Sequence, residues 1–339
     1  MLKKQVPTLA EIAKIAGVSR MTASRALNKQ PGVSEATREE ILRIADEMGY
    51  VANPLAQKLS AGKSHIIGAI AQLHTSFTGD LVMGIGSAVR GAGYEMLLYS
   101  LPGNDSQPPH SVVNLLRQIA DGIIAILPYE SGYLEELARF EVPVITIDAQ
   151  SDDQPFPFVI ADSYQGGRLA VSHLVELGHR RIGCIAGDLR LSSARARLQA
   201  YRDMVAQLDL AQDDGLIAVG GFSHKEGFDA AKQLLTLPHI PTAIVAANDT
   251  TAFGALAAIR EAGLSVPEDI SLVGFDDIPL ATEMQPTLTT IRQPLHEMGR
   301  SAMNLLLARI VGLEVPTKRT ILPVKLIVRQ STATPRKCK

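Results

Sequence analysis

At 339 residues the chain exceeds one ordinary domain. Its 46% apolar content can fill sizeable cores, and with 4% aromatic residues and no Trp the packing must be largely aliphatic. The net charge is only −2, but residues 1–64 carry ten Lys and Arg against six Asp and Glu, so positive charge concentrates at one end, where it suits phosphate. Cys184 lies in an apolar run and Cys338 in a polar tail, which argues against a disulfide framework. No apolar signal core opens the chain and no apolar run approaches spanning length, so a cytoplasmic protein is expected and a secreted or membrane-spanning one excluded.

The first predicted element is a helix from Thr8, with Leu9, Ile12, Ala13 and Ala16 at helical spacing and Thr8 and Glu11 forming a capping box. Gly17 permits a left-handed turn, Val18 closes a small core and Ser19 caps a second helix. On that helix Ala23, Ala26 and Leu27 face inward, leaving Arg20, Met21, Thr22, Ser24, Arg25 and Asn28 outward. Such a face suits a major groove, with guanidiniums for guanine edges and Met21 for a thymine methyl. Any small helical pair around a glycine can show the same alternation, so the following segment matters. Ser34 caps a third predicted helix, Glu35 to Met48, which ends at Gly49.

After it comes Gly49-Tyr50-Val51-Ala52-Asn53-Pro54-Leu55-Ala56-Gln57-Lys58-Leu59. The patterns Gly-Val-Ser-x-x-Thr-x-Ser-Arg, Val-Ser-x-x-Thr-Arg and Gly-Tyr-x-x-Asn-Pro-x-Ala-x-x-Leu together resemble the headpiece and hinge of the lactose/galactose repressor family (LacI/GalR). The resemblance implies phosphate contacts from Thr8, Ser19 and Ser24, and base contacts from Arg20, Met21 and Arg25. Thr22, Asn28, Ser34, Asn53, Ala56 and Leu59 complete the DNA-contacting set. A hinge that becomes helical on DNA would insert Leu59 into the minor groove, whereas the plainer reading is a flexible linker.

From His65 onward short aliphatic runs alternate with amphipathic helices. Ile66 to Ala71, Glu95 to Ser100, Gly122 to Leu127 and Val144 to Asp148 form one series of predicted strands. Ile182 to Ala186, Leu216 to Val219, Ala243 to Ala246 and Ser271 to Gly274 form another, so two doubly wound parallel sheets are expected. Ligands of such sheets sit beyond the carboxyl ends of the strands, which draws attention to Asp148, Asn248, Asp249, Asp276 and Asp277. Asp249 is expected to cap the helix running to Glu261, leaving Asn248 for the pocket. Arg195 and Arg197 follow Gly187, where an arginine is more often solvated than bound to ligand. Phe77, Tyr129 and Phe222 follow strand ends, where a ring either stacks on a sugar face or plugs a core edge; Phe222 is preferred for stacking.

Leu-Gly-His-Arg-Arg-Ile (177–182), Asn-Asp-x-x-Ala-x-Gly (248–254), Val-Pro-Glu-Asp-Ile-Ser-Leu-Val-Gly-Phe-Asp-Asp (266–277) and Pro-x-Leu-Thr-Thr-Ile-Arg-Gln-Pro (286–294) are similar to the same family's periplasmic-binding-protein-like core. By that resemblance Asp148, Arg197, Asn248 and Asp276 bind polar groups of an effector, Phe222 stacks on it, and Ser76, Phe77 and Thr78 line the other lobe. In the alternative, Arg197 and Asp276 pair with each other or with Asp148 to stabilise the cleft. The chain departs from the family at Thr75-Ser76-Phe77-Thr78, where Asn-Pro-Phe-Phe is usual, at Ser163 in place of Asn, and at Ala23 in place of Val.

The expected organisation is an all-α helix-turn-helix headpiece (1–50), a hinge (51–64) and an α/β core of two lobes. One lobe is 65–163 with about 292–323, the other 164–291 with about 324–332, so the chain crosses between them three times. The expected function is a sequence-specific repressor of transcription acting as a homodimer or tetramer on pseudo-palindromic operator DNA under a sugar-like effector. The tail has no leucine heptads for a tetramerisation coil. A sugar-binding transport protein would share the core but lacks the basic headpiece. A hydrolase on the same scaffold would need a catalytic set. The eight His are scattered, and no Cys-x-x-Cys, Gly-x-Ser-x-Gly or phosphate-loop pattern occurs, so no enzyme, metal or cofactor is expected.

Overall fold

The computed structural model describes residues 7–28, 30–50, 63–73, 76–101, 109–126, 131–148, 151, 153–315 and 318–336. It divides into two units, 1–65 and 66–339.

The first unit holds three helices, α1 (Leu9–Ile15), α2 (Arg20–Leu27) and α3 (Glu35–Glu47). Each begins where a hydroxyl can satisfy an orphan amide: Thr8, Ser19 and Ser34 accept from the backbone N–H of Glu11, Thr22 and Thr37. Gly17 joins α1 to α2 at a φ of 63°, a conformation that a Cβ would penalise. Ile12, Ala26, Ile41, Ile44 and Ala45 form the buried centre, while Ala16, Val18 and Leu27 pack half-buried around it. Burying each isoleucine stabilises the unit by about 1.5–3 kcal/mol, enough to hold short helices that would not form alone. Arg38 of α3 adds a polar tie absent from the sequence reading. Its Nη1 donates to Ala26 O at 3.0 Å and its Nη2 to Gln30 O at 2.9 Å, closing the carbonyl end of α2.

The second unit contains two six-stranded sheets. The first comprises β1 (Ile66–Ala71), β2 (Glu95–Ser100), β3 (Gly122–Ile126), β4 (Val144–Ile147), β5 (Phe158–Ala161) and β11 (Arg319–Leu322), in the order β11-β5-β4-β3-β1-β2. The other comprises β6 (Ile182–Ala186), β7 (Ile217–Val219), β8 (Ala243–Ala246), β9 (Ser271–Asp276), β10 (Thr289–Arg292) and β12 (Lys325–Ile327), in the order β12-β10-β9-β8-β6-β7. All pairings are parallel except β10 with β12, so the second sheet carries one antiparallel edge where only parallel strands were expected. Both sheets reverse their winding beside their first strand, between β1 and β3 and between β6 and β8, which places a ligand crevice at the carboxyl ends of each.

Several boundaries differ from expectation for local reasons. β4 stops at Ile147 because Asp148 turns to a φ of 60°. Leu216 belongs to a 3-10 turn, Asp214–Leu216, not to β7. β9 continues through Phe275 to Asp276. Leu127 and Tyr129 lie outside the described residues. The chain passes between the sheets after β5, after β10 and between β11 and β12; helix Leu295–Ile310, though it follows β10, packs on β3, β4 and β5.

Each half also has close helix crossings built on glycines. A Cβ on Gly84 would stand 2.2 Å from His296 O and one on Gly299 2.4 Å from Leu81 O, which brings helix Ser76–Gly91 onto Leu295–Ile310. In the second half Gly227 and Gly254 do the same for helices His224–Leu235 and Asp249–Glu261, with a Cβ on Gly254 only 2.0 Å from His224 O.

Candidate functional site

The headpiece offers a recognition surface on α2. Arg20, Met21 and Arg25 are exposed, Met21 at 65%, because the inward positions of this short helix are taken by Ala23 and Ala26. An exposed methionine amid arginines is unfavourable in water and suits an apolar contact with a partner. Thr8, Ser19 and Ser34 stand exposed at the helix starts, each engaged as a cap, and Thr22 meets Ser19 Oγ at 2.9 Å. Ser24 and Asn28 are half-buried and joined by a 3.3 Å hydrogen bond from Asn28 Nδ2. Asn53, Ala56 and Leu59 lie outside the described residues.

In the second unit a cavity of about 370 Å³ opens between the two halves. That volume suits a small ligand. Its walls come from the ends of elements of both sheets. Phe77 and Asp148 line it, as do Ser151, Asp162, Ser163 and Tyr164 around the end of β5, Ser192, Ser193 and Arg195 at the start of helix Ser192–Gln207, and Gln293, Met298 and Arg319. Ser193 Oγ donates across the halves to Asp148 Oδ2 at 3.4 Å. Asp148 holds its carboxylate at a strand end in the left-handed region, a conformation that Asp tolerates better than bulkier residues.

Arg197 and Asp276 stand next to this lining. Arg197 Nη1 donates to Ala247 O at 2.6 Å and its guanidinium lies 3.6 Å over the Phe275 ring, so one side chain ties β8's end to β9's. Gln293, part of the lining, donates its Nε2 to Asp276 Oδ1 at 2.6 Å. Burial pushes the Asp276 carboxyl up to about 6, against the Arg197 charge and the Gln293 hydrogen bond, which favour the carboxylate; the Asp148 charge adds to the rise. Asp148, Arg197, Asp276 and Gln293 are therefore one electrostatic group.

The helix cap falls on Asn248 and not, as expected, on Asp249. Asn248 caps helix Asp249–Glu261, its Oδ1 accepting from Thr251 N at 2.8 Å and from Thr251 Oγ1 at 2.6 Å, because its extended backbone places it one residue before the first turn. Its Nδ2 donates to Phe222 O at 3.4 Å. Asp249 lies inside that turn and is fully buried. Its Oδ2 accepts from Ile278 N at 2.8 Å and its Oδ1 from Thr290 Oγ1 at 2.5 Å, while burial and the nearby Asp276 charge hold its pKa well above the usual carboxylate range. Asp277 is likewise structural, with Arg292 Nε at 2.5 Å and Arg329 Nη2 at 2.6 Å.

Of the other expected effector residues, Phe222 is half-buried with its ring against Gly187, where a Cβ would come within 2.5 Å. Thr78 is buried, and Ser76 begins helix Ser76–Gly91. Gln293, though inside the Pro-x-Leu-Thr-Thr-Ile-Arg-Gln-Pro stretch, was not singled out, and no local pattern marks Met298 or Arg319; all three line the cavity through the return of the chain after β10. Among the described residues no cluster of His, Cys, Asp and Glu could hold a metal, and no helix is long and apolar enough to cross a membrane.

A three-helix unit with an exposed arginine-bearing second helix, followed by two sheet halves around a polar cavity, defines a DNA-binding regulator with a ligand-binding core. The model for bacterial regulatory proteins of the lacI family matches residues 8–53, and that for a periplasmic binding protein-like domain matches 171–332. The ribose operon repressor of Escherichia coli (strain K12) is 34% identical over 327 residues, covering 96% of this chain and 99% of the relative. The HTH-type transcriptional repressor CytR of the same strain is 34% identical over 336 residues, covering 97% and 98%. Among solved structures, the lac repressor dimer bound to operator and the anti-inducer ONPF matches with a TM-score of 0.86 at 33% identity, covering 97% of this chain and all of that one. A complex of the regulator CelR with cellobiose matches with a TM-score of 0.73 at 31% identity, covering 96% and 99%. The chain belongs to the lacI family of bacterial regulatory proteins and is a DNA-binding transcriptional regulator.

Proposed function

We propose that the protein is a repressor that binds a pseudo-palindromic operator as a homodimer in the cytoplasm, and that a small sugar-like effector in the cavity between the two core halves sets its affinity for DNA. The observation that carries the effector reading is the cavity itself, which draws polar groups from both halves and has the coupled Asp148–Arg197–Asp276–Gln293 group at its wall. A ligand touching both halves discriminates between open and closed arrangements, the condition for it to shift an equilibrium.

Within this reading Arg20, Met21 and Arg25 read bases while Thr8, Ser19 and Ser24 hold phosphates. Asp148 and Phe77 contact the effector, Arg197 and Asp276 grip its hydroxyls or orient the groups that do, and Asn248 and Phe222 brace the wall. The core lobes are 65–163 with about 292–323 and 164–291 with about 324–332. The relatives are regulators, and we assign no turnover to the bound ligand. The test pairs selection of an operator sequence by the full-length protein with thermal-shift screening against sugars, sugar acids and purines, followed by operator titration with each stabilising compound. The reading predicts a selected palindrome and at least one compound that both raises the melting temperature and changes operator affinity. No selected sequence, or turnover of the compound, rejects it.

A further inference from the structure

Arg38 belongs to the basic end of the chain, where an arginine ordinarily serves a phosphate, yet its side chain is committed inward. Only 14% of it is exposed. Its fork spans two carbonyls four residues apart, Nη1 donating to Ala26 O at 3.0 Å and Nη2 to Gln30 O at 2.9 Å, with Arg25 O a further acceptor 3.4 Å from Nη1. Its Nε faces the exposed Glu35 carboxylate at 3.8 Å. The three carbonyls belong to the last turn of α2 and the chain just past it, where a helix runs out of amide donors. Gln30 N closes the same loop by donating to Arg25 O at 2.9 Å. The chain then passes beside the Arg25 side chain at Gly32, whose φ of 93° suits glycine and where a Cβ would stand 3.6 Å from Arg25 Nη1.

The end of α2, the loop to Gly32 and the Arg25 side chain thus form one assembly, which Arg38 ties to α3. A planar guanidinium holds two carbonyls at a fixed spacing, whereas an ammonium is a point charge on a flexible stem. An arginine that reads a base edge through two hydrogen bonds discriminates only when its backbone is held at a set angle. We infer that Arg38 is a positioning residue of base recognition: without touching DNA, it fixes the final turn of α2 so that Arg25 meets its base pair in one orientation. The inference rests on the reading of Arg25 as a base-contacting residue.

The test compares full-length wild type with Arg25→Ala, Arg38→Lys, Arg38→Met and the double variant of Arg25→Ala with Arg38→Lys. The wild type first selects a sequence from a randomised duplex library. Titrations then use that duplex, its single base-pair substitutions and an unselected duplex of equal length, over a series of salt concentrations. Arg38→Lys and Arg38→Met should each lose about tenfold in discrimination at the base pair that Arg25→Ala relaxes, and stay within about twofold elsewhere. The double variant should lose no more at that base pair than Arg25→Ala alone. The salt slope should match wild type, because no phosphate contact is removed. Melting followed by circular dichroism reports whether each headpiece is folded. Folded Arg38 variants with wild-type discrimination at that base pair overturn the inference and leave the reading of Arg25 intact. A slope lower by about one per headpiece in Arg38→Met makes Arg38 a phosphate ligand and also overturns it. Equal losses at every base pair, or a headpiece unfolded in both variants, make Arg38 a structural brace and overturn it too. If the wild type selects no sequence, or Arg25→Ala leaves the selected one unchanged, the reading of Arg25 falls and the inference with it.

Discussion

Arg25 and Asp276 show how differently one charged side chain is used in the two units. Arg25 stands exposed on α2, its guanidinium lying over Gly32. Nothing in the headpiece core needs it, so its value must come from a partner. Arg25→Ala should relax the preference at one base pair per half-site and cost roughly 1–3 kcal/mol of specific binding. Site selection on both proteins checks this, and an unchanged preferred sequence removes Arg25 from the reading set. Asp276 is buried, and its carboxyl titrates near 6, above the ordinary 3.8. The folded state therefore holds that proton more tightly than the unfolded chain. The stability from this group is fully present below about pH 4 and is lost as the pH rises through about 6. Asp276→Asn, which keeps an oxygen for Gln293, should flatten that part of the curve. Urea midpoints measured from about pH 4 to 7 decide it, and parallel curves for mutant and wild type would deny Asp276 the shift.

At the scale of elements, the glycine crossings set how closely helices lie on one another. Gly254→Ala places a methyl into the His224 carbonyl at 2.0 Å, backbone against backbone, with no flexible side chain to yield. Destabilisation of about 3 kcal/mol is expected, near the upper end for overpacking. Gly91→Ala, at the end of helix Ser76–Gly91 with no neighbour within 4 Å of the added Cβ, should be neutral or stabilising by up to about 1 kcal/mol. Chemical denaturation of the pair checks the contrast. A second device closes the end of the second sheet. His179, buried, meets Thr242 Oγ1 through Nδ1 at 2.9 Å, and through Nε2 meets Ser271 Oγ at 3.1 Å and Ala333 O at 2.9 Å. Burial lowers its pKa, so it contributes stability above about 6.5 that is lost as the pH falls through its depressed folded value. His179→Gln should lose stability at pH 8 and show a shallower fall on acidification. An undiminished acid slope in that variant would assign the fall to other groups.

For the whole molecule, the chain divides into units 1–65 and 66–339, and the proposed function puts operator contacts in the first and the effector in the second. A change confined to the cavity wall should therefore alter control and spare affinity. Arg197→Ala removes the hydrogen bond to Ala247 O, the stack on Phe275 and the charge that favours ionised Asp276. Effector affinity is expected to fall by about tenfold or more, since charged buried partners are left unsatisfied, while operator affinity without effector stays within about twofold. Calorimetry with the identified effector and operator titration measure the two. A lower melting temperature with wild-type effector affinity would make Arg197 a strut of the cleft.

The headpiece was legible almost residue by residue because its information is local. Caps three residues from their amides, a glycine at a left-handed turn and apolar spacing along each helix all act within a few positions, and Thr8, Ser19, Ser34 and Gly17 do what their neighbours imply. Aliphatic runs likewise announced eight strands, since a strand buried on both faces must be apolar throughout, as the six inner ones are; the edge strands β2 and β7 are partly exposed. The cavity wall was less legible. Asp148, Phe77 and the Arg197–Asp276 group followed from strand ends and family motifs; Gln293 lay within such a motif without being singled out, and Arg319 carries no local signal and is placed by the chain's return to the first sheet. Adjacent polar residues such as Asn248 and Asp249 could not be told apart by sequence: which one caps and which is buried depends on Thr290 and Ile278, some thirty to forty positions away. Short-range hydrogen bonding and hydrophobic periodicity were set by the sequence itself, whereas the partners of buried charges were decided by tertiary structure, because a buried charge is stable only beside groups that the fold, not the neighbouring chain, brings to it.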